Sequence, residues 1–158
     1  MLSALLAVLA LAGAPTTTSV LCNPALPPTA ELGITFPDFI TVAPDGTITP
    51  GPLTRIQLGP MACGGLLYAS VSPSVRLQIR RMNPTIDFDQ WLAVGLQVAL
   101  HEANHVALNS TNECRVEKVT RTEINGLIEK LGDPGRISAE EADAAASDAG
   151  LPTAYHGC

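Results

Sequence analysis

From Asp87 to Asn109 the chain reads DFDQWLAVGLQVALHEANHVALN. The apolar residues of this stretch fall on every side of a helix, a pattern typical of a buried helix rather than an amphipathic surface helix. Gly95 permits close approach by another element, and Asn109 can adopt the left-handed conformation that closes a helix C-terminus. We therefore predict a buried central helix that ends near residue 109.

The middle of this predicted helix carries His101-Glu102-Ala103-Asn104-His105, the HExxH pattern. Imidazoles at this spacing project from one helix face, so His101 and His105 can bind one Zn²⁺. Glu102 is angled toward a metal-polarised water, from which it can take a proton during attack on a peptide carbonyl. The competing interpretation is a pair of core histidines satisfied by hydrogen bonds, which leaves the adjacent buried polar positions unexplained.

A catalytic zinc site needs a third protein ligand and an open fourth position. Glu113 and Glu117 lie one turn apart on the next predicted helix, which begins at a capping box over 110–113 and ends before Gly132. If this helix packs antiparallel to the first, Glu117 lies level with the metal, while Glu113 serves the capping box. We favour Glu117 as the ligand and keep Glu113 as the alternative; the remaining carboxylate would be a partner of a ligand.

Composition excludes several classes of function. The chain has 158 residues, nine Lys and Arg in total and a net charge of -6, which disfavours a nucleic-acid partner. No apolar run reaches the roughly 18 to 20 residues of a transmembrane helix, so we expect no transmembrane anchor in the mature chain. We expect the one basic cluster, Arg76, Arg80 and Arg81, to form a solvated helix face.

The other predicted elements are shorter. Residues 13–54 are rich in Pro and Thr, and we expect loops with one hairpin around Pro44-Asp45-Gly46. A short helix is expected from Ser72 to Met82, and the glycine pair in 62–65 is interpreted as a turn. A further capping box at 138–141 predicts an Ala-rich helix. The fold class is therefore α+β, mainly α.

The first residues indicate export. Residues 1–12 are apolar and end in Ala10-Leu11-Ala12, which fits a secretory signal peptide and its cleavage pattern, although no Lys or Arg precedes the apolar run. The alternative is a buried N-terminal helix. With a signal peptide, the protein would be secreted or held in the cell envelope.

Four cysteines support an exported protein. Cys22, Cys63, Cys114 and Cys158 include no CxxC pair, so two disulfides are a better interpretation than a zinc site of four thiolates. Three pairings are possible. We favour Cys22 with Cys63 and Cys114 with Cys158, because each pair ties one terminus to the domain.

The region from Gln57 to Cys158 resembles the zincin metallopeptidases, in particular gluzincin-like ones and a group of small exported zincin-like proteins. The shared features are an HExxH helix, a short turn, an acidic pair around a Cys, and a Leu-Pro-x-x-Tyr segment near a final Cys. The matching residues are His101–His105, Glu113, Cys114, Glu117, Leu151–Tyr155 and Cys158. The resemblance implies a bound Zn²⁺ and a peptide or protein substrate. If Cys158 is tethered to the second helix, either Tyr155 or His156 could approach the metal and stabilise the oxyanion, as such residues do in gluzincins. The alternative is an exposed C-terminal tail.

These observations divide the chain into a signal peptide (1–12), a loop-rich N-terminal segment (13–54) and a zincin-like helical metal-binding region (55–158), within one domain overall. The predicted function is an exported zinc metallopeptidase with Glu102 as general base. The alternative is a catalytically inactive, zincin-derived protein that keeps the metal for structure or binding.

Overall fold

A computed structural model describes residues 2–26 and 33–131. Within these ranges the protein is mixed α and β and mostly helical, with five helices and two small sheets. The prediction of a mixed, mainly helical fold is confirmed. In chain order the elements are α1 (Leu2–Ala12), β1 (Ser19–Cys22), β2 (Gly33–Pro37), β3 (Ile40–Val42), β4 (Ile48–Pro50), β5 (Leu53–Leu58), α2 (Pro60–Ala69), α3 (Pro73–Met82), α4 (Phe88–Leu108) and α5 (Glu113–Leu131).

Helix α4 is the central element, as its sequence predicted. Every side chain from Leu92 to Val106 is buried, polar ones included. Helices α1, α2 and α5 pack around it, together with strands β2 and β5. The helix begins after Asp87, whose carboxylate accepts two backbone N–H bonds, and ends at Asn109 with φ 42° and ψ 53°. The left-handed conformation predicted for Asn109 is therefore confirmed.

Helices α2 and α4 cross at a contact between two glycines. A Cβ atom on Gly65 would stand 2.0 Å from the Trp91 carbonyl oxygen, and one on Gly95 would stand 2.6 Å from the Gly65 Cα. The close approach expected at Gly95 is thus confirmed. The turn predicted over 62–65 is wrong, because these residues form the middle of α2. Their glycines serve helix packing rather than a chain reversal.

Two small sheets form the N-terminal part of the structure. In the first, the strand order is β1-β5-β2, with β1 parallel and β2 antiparallel to β5. Strands β3 and β4 form the second, and they are the hairpin predicted around residues 44–46. Strand β5 crosses the predicted boundary at residue 55, and the helical region begins at Pro60. Its sequence alternates, with Leu53, Ile56 and Leu58 buried.

The disulfide between Cys22 and Cys63 joins β1 to α2 and confirms the first predicted pair. Cys114 is also disulfide-bonded. The second predicted pair includes Cys158, which lies outside the described residues. The helix predicted from the capping box at 138–141 lies outside them as well.

Helix α1 packs against α4, and Val8 is completely buried in the core. This is the arrangement that the alternative of a buried N-terminal helix describes. The signal peptide over 1–12 stays a prediction. Across residues 2–26 and 33–131, every helix is too short or too polar to cross a bilayer.

Helix α3 has the predicted bounds and is capped by Ser72, whose hydroxyl accepts a bond from the Val75 N–H. The expectation that its arginines form a solvated face is wrong for Arg76, which is 5% exposed. The Arg76 guanidinium donates to the carbonyl oxygens of Ala69 and Val71. It therefore caps the C-terminal end of α2.

Candidate metal centre

The turn between α4 and α5 positions the candidate site. The Asn109 side-chain oxygen accepts a bond from the Leu53 N–H, which ties the turn to β5. Helix α5 is capped by Asn112, whose side chain accepts a bond from the Arg115 N–H at 3.0 Å. The cap is therefore Asn112 rather than Ser110, and the Glu113 carboxylate faces the two histidines.

Three donor atoms from the two helices lie in mutual contact. The Nε2 atoms of His101 and His105 are 3.0 Å apart, and each lies 3.1 Å from Oε2 of Glu113. Among the described residues, these three side chains form a group that could hold a metal ion. Both histidines are buried, and Glu113 is partly exposed. Glu113 is therefore the member of the group that is most in contact with solvent.

Hydrogen bonds on the far side of each ring orient the histidines. Nδ1 of His105 lies 2.6 Å from the Ser110 carbonyl oxygen, and Nδ1 of His101 lies 3.1 Å from Oε2 of Glu117. Both partners accept, so each Nδ1 carries a proton, and each ring in its neutral form would present its Nε2 lone pair to the group. The two Nε2 atoms therefore face one point.

The donor set fits a zinc ion. Two imidazoles and one carboxylate are a common catalytic zinc ligand set, and neighbouring ligands of a tetrahedral site stand about 3.3 Å apart. The observed separations of 3.0 and 3.1 Å need an expansion of only a few tenths of an ångström. Imidazole also suits several other transition metals, so the donors alone do not select zinc.

Glu117 reaches His101, but it meets Nδ1, the ring nitrogen that faces away from the group. Its second oxygen, Oε1, accepts bonds from Arg121 Nε at 2.9 Å and from Gln97 Nε2 at 3.4 Å. The carboxylate is buried and fully engaged by these partners. Glu117 thus supports His101, whereas Glu113 faces both histidines.

The histidine and the two glutamates of the site shift one another's pKa values. Burial lowers the pKa of His101, but hydrogen bonds to Glu113 and Glu117 outweigh it and raise that pKa to about 9. The hydrogen bond from His101 lowers the pKa of Glu113. Burial raises the pKa of Glu117, but bonds from His101 and Arg121 prevail and lower it. Without a metal, protonated His101 therefore forms hydrogen bonds with both carboxylates.

Glu102 lies beside this group and outside it. It is 5% exposed, and it is not one of the three residues whose donor atoms converge. The Thr35 hydroxyl lies 2.6 Å from Oε2 of Glu102 and 3.2 Å from its carbonyl oxygen. Burial raises the pKa of Glu102, against the opposing effects of Thr35 and His101.

Strand β2 supplies the contacts that the sequence did not predict. A Cβ atom on Gly33 would stand 2.6 Å from Cγ and 3.0 Å from Oε1 of Glu102. Gly33 and Thr35 are alternate residues of one strand and share a face, which here is the face toward α4. Thr35 is 67 residues from Glu102 in the chain, and no local pattern signals such a contact.

A second polar contact between α4 and α5 lies next to the metal group. The Asn104 amide donates to Thr120 Oγ1 at 3.1 Å and to Glu123 Oε2 at 3.0 Å. Asn104 and Thr120 are buried, so this contact specifies how the two helices pack. Two further predicted site residues, Tyr155 and His156, lie outside the described residues.

In comparisons with known proteins, the chain matches no family model, no curated protein and no solved structure.

Proposed function

We propose that the protein is a zinc-dependent peptidase in which His101, His105 and Glu113 hold the metal and Glu102 is the general base. The observation that carries this proposal is the position of Glu102, a buried carboxylate next to three convergent donors but separate from them. A metal held only for structure has no need of a second carboxylate there. Burying a carboxylate is costly unless it is paired, and a functional role is a reason for a protein to keep one at that cost.

Each residue of the site has a specific role in the proposed reaction. A bound zinc ion would polarise a water molecule and the substrate carbonyl. Glu102 takes a proton from the attacking water as the new C–O bond forms, and returns it to the leaving amine as the C–N bond breaks. Glu117 holds His101 in the orientation that the ligand set requires.

Strand β2 supports a peptide as the substrate. Among residues 2–26 and 33–131, β5 is the one strand that pairs with β2, so the outer edge of β2 has no described partner strand. An extended peptide can add to such an edge through backbone hydrogen bonds. The contacts from Gly33 and Thr35 to Glu102 would keep this edge close to the general base.

Disulfide bonding supports export to an oxidising compartment. Cys22 is bonded to Cys63, and Cys114 is also disulfide-bonded. Such bonds persist in secreted and cell-envelope proteins and are rare in the cytosol. We infer that the peptidase acts outside the cytosol, in agreement with the apolar sequence of residues 1–12.

The alternative is a zinc-binding protein without turnover. One observation favours it: the candidate ligands come from both α4 and α5. A bound ion would therefore clamp the two helices together and stabilise the fold. In this alternative Glu102 would be a buried carboxylate that accepts a hydrogen bond from Thr35 and has no catalytic role.

Activity of the zinc-loaded protein on a diverse peptide library distinguishes the two. We expect wild-type protein to cleave peptides, and we expect Glu102→Gln to bind zinc equally but lose roughly 10²- to 10⁴-fold in kcat. Glu123→Gln is the matched control, because Glu123 contacts Asn104 rather than the metal group. Zinc binding with no cleavage by wild type would support the structural alternative, and cleavage by Glu102→Gln at the wild-type rate would overturn the proposal.

A further inference from the structure

We propose that Thr35 is a positioning residue for the Glu102 carboxylate, with Gly33 providing the space that the carboxylate occupies. This inference rests on the proposed function, because it assigns the two residues of β2 a role in placing the general base. The described side-chain hydrogen bonds of Thr35 go to Glu102, so we assign its effect to that residue.

The two carboxylate oxygens of Glu102 have different neighbours. Oε2 is the acceptor of the Thr35 hydroxyl at 2.6 Å. Oε1 lies beside Gly33, where a Cβ atom would stand 3.0 Å from it. One oxygen is therefore held by a hydrogen bond, and the other lies where a larger residue at position 33 would displace it.

A carboxylate held at one oxygen is restricted in rotation about its last bond. A hydrogen bond is stronger where its acceptor is shielded from water. Glu102 is 5% exposed, so it has little access to solvent as a competing partner. The bond to Thr35 therefore selects one orientation of the carboxylate.

Gly33 completes this arrangement from the other side. Any side chain at this position would also meet Cγ of Glu102 at 2.6 Å and Cγ1 of Val98 at 3.0 Å. Because Cγ is not the free end of the side chain, Glu102 could not avoid the contact without leaving its position. Glycine is thus required here by space.

The test removes the hydroxyl while keeping the shape of the side chain. Thr35→Val and Thr35→Ser are compared with wild type, with Thr54→Val as matched control. Thr54 lies on β5, and its buried hydroxyl has no hydrogen-bond partner among the described residues. Four quantities are measured: kcat, KM, zinc affinity, and the Glu102 carboxylate position in crystal structures.

We expect Thr35→Val to lower kcat by roughly 10- to 100-fold, less than loss of the base itself, because a misplaced group retains part of its effect. KM and zinc affinity should stay within about twofold of wild type, since the described hydrogen bonds of Thr35 go to Glu102 and not to a candidate ligand. Thr35→Ser should restore most of kcat, and Thr54→Val should match wild type. In crystals, the carboxylate should shift in Thr35→Val and keep its position in Thr35→Ser.

Wild-type kcat in Thr35→Val, or equal losses of kcat and zinc affinity, would overturn the inference. If Thr35→Val does not fold, Thr35→Ala takes its place with the same expectations. If zinc-loaded wild type cleaves nothing, the proposed function has failed, and the crystal structures alone decide the role of Thr35. An unchanged Glu102 carboxylate in Thr35→Val would then overturn the inference, and a displaced one would support it.

Discussion

At the scale of single residues, His101 contacts a carboxylate at each of its two ring nitrogens. Its two ring nitrogens meet two different carboxylates, Glu113 at Nε2 and Glu117 at Nδ1, each at 3.1 Å. In the metal-free protein these contacts raise the pKa of His101 to about 9, despite burial, which lowers it. Metal and proton therefore compete for the same nitrogen.

This competition predicts opposite pH dependences for metal affinity and metal-free stability. Zinc needs the neutral ring, so its affinity should rise with pH up to about 9, by about tenfold per pH unit below that value. Because the folded pKa is raised, protonated His101 stabilises the metal-free protein below about pH 6.5, and this contribution is lost as pH rises through 9. Titration calorimetry and urea unfolding measure the two trends, and a zinc affinity that is constant from pH 7 to 9 would contradict the prediction.

The two carboxylates of α5 should differ in their effect on metal binding. Glu113→Gln removes a proposed ligand and should weaken zinc binding by more than about 100-fold, whereas Glu117→Gln removes a partner of His101 and should cost about 10- to 100-fold. Glu123→Gln should bind zinc as wild type does. Competition with a chelator gives the three affinities. A larger loss in Glu117→Gln than in Glu113→Gln would reverse the assignment of the third ligand.

At the scale of elements, the crossing of α2 and α4 depends on two facing glycines. A Cβ atom on Gly95 would meet the Gly65 Cα at 2.6 Å and the Ala62 carbonyl oxygen at 2.8 Å, and backbone atoms cannot yield as a flexible side chain can. Gly95→Ala should therefore lower the free energy of unfolding by about 2 to 3 kcal/mol.

A matched substitution on α5 controls for the intrinsic effect of alanine. Gly126 is exposed, and a Cβ atom there would meet none of the described residues within 4 Å. Gly126→Ala should raise the free energy of unfolding by up to about 1 kcal/mol, because alanine favours the helix. Urea unfolding measures both variants. Equal stabilities of Gly95→Ala and wild type would show that the crossing is not tightly packed.

Elements marked by local patterns could be predicted from the sequence. The bounds of α3 and α4 follow from capping residues at Ser72, Asp87 and Asn109, and the β3–β4 hairpin follows from its turn residues. Helix α2 could not be predicted in this way. Its glycines also suit a turn, and only the distant Gly95 explains why they lie in a helix.

Part of the candidate site could also be predicted from the sequence. HExxH spacing places His101 and His105 on one face, and their Nε2 atoms meet there. The choice between Glu113 and Glu117 was not accessible, because both reach His101 and the two ring nitrogens cannot be told apart by position along a helix. Thr35 lies on β2, and the position of this strand against α4 is set only by the tertiary fold.

At the scale of the whole molecule, the disulfide between Cys22 and Cys63 ties the first sheet to the helices. It closes a loop with a sequence separation of 41 residues. Loss of such a cross-link costs about 4 kcal/mol in the chain-entropy account. The double variant Cys22→Ala/Cys63→Ala should therefore unfold at markedly lower urea concentration than wild type. A midpoint equal to that of wild type would show that the N-terminal sheet is held by packing alone.

We propose that α4 and α5 together form a zinc site, and X-ray absorption spectroscopy at the zinc edge of purified, zinc-loaded protein tests this directly. We predict one zinc ion per chain, bound by two imidazole nitrogens and by oxygen donors at about 2.0 to 2.2 Å. Absence of stoichiometric zinc, or a first coordination shell that contains sulfur, would contradict the claim.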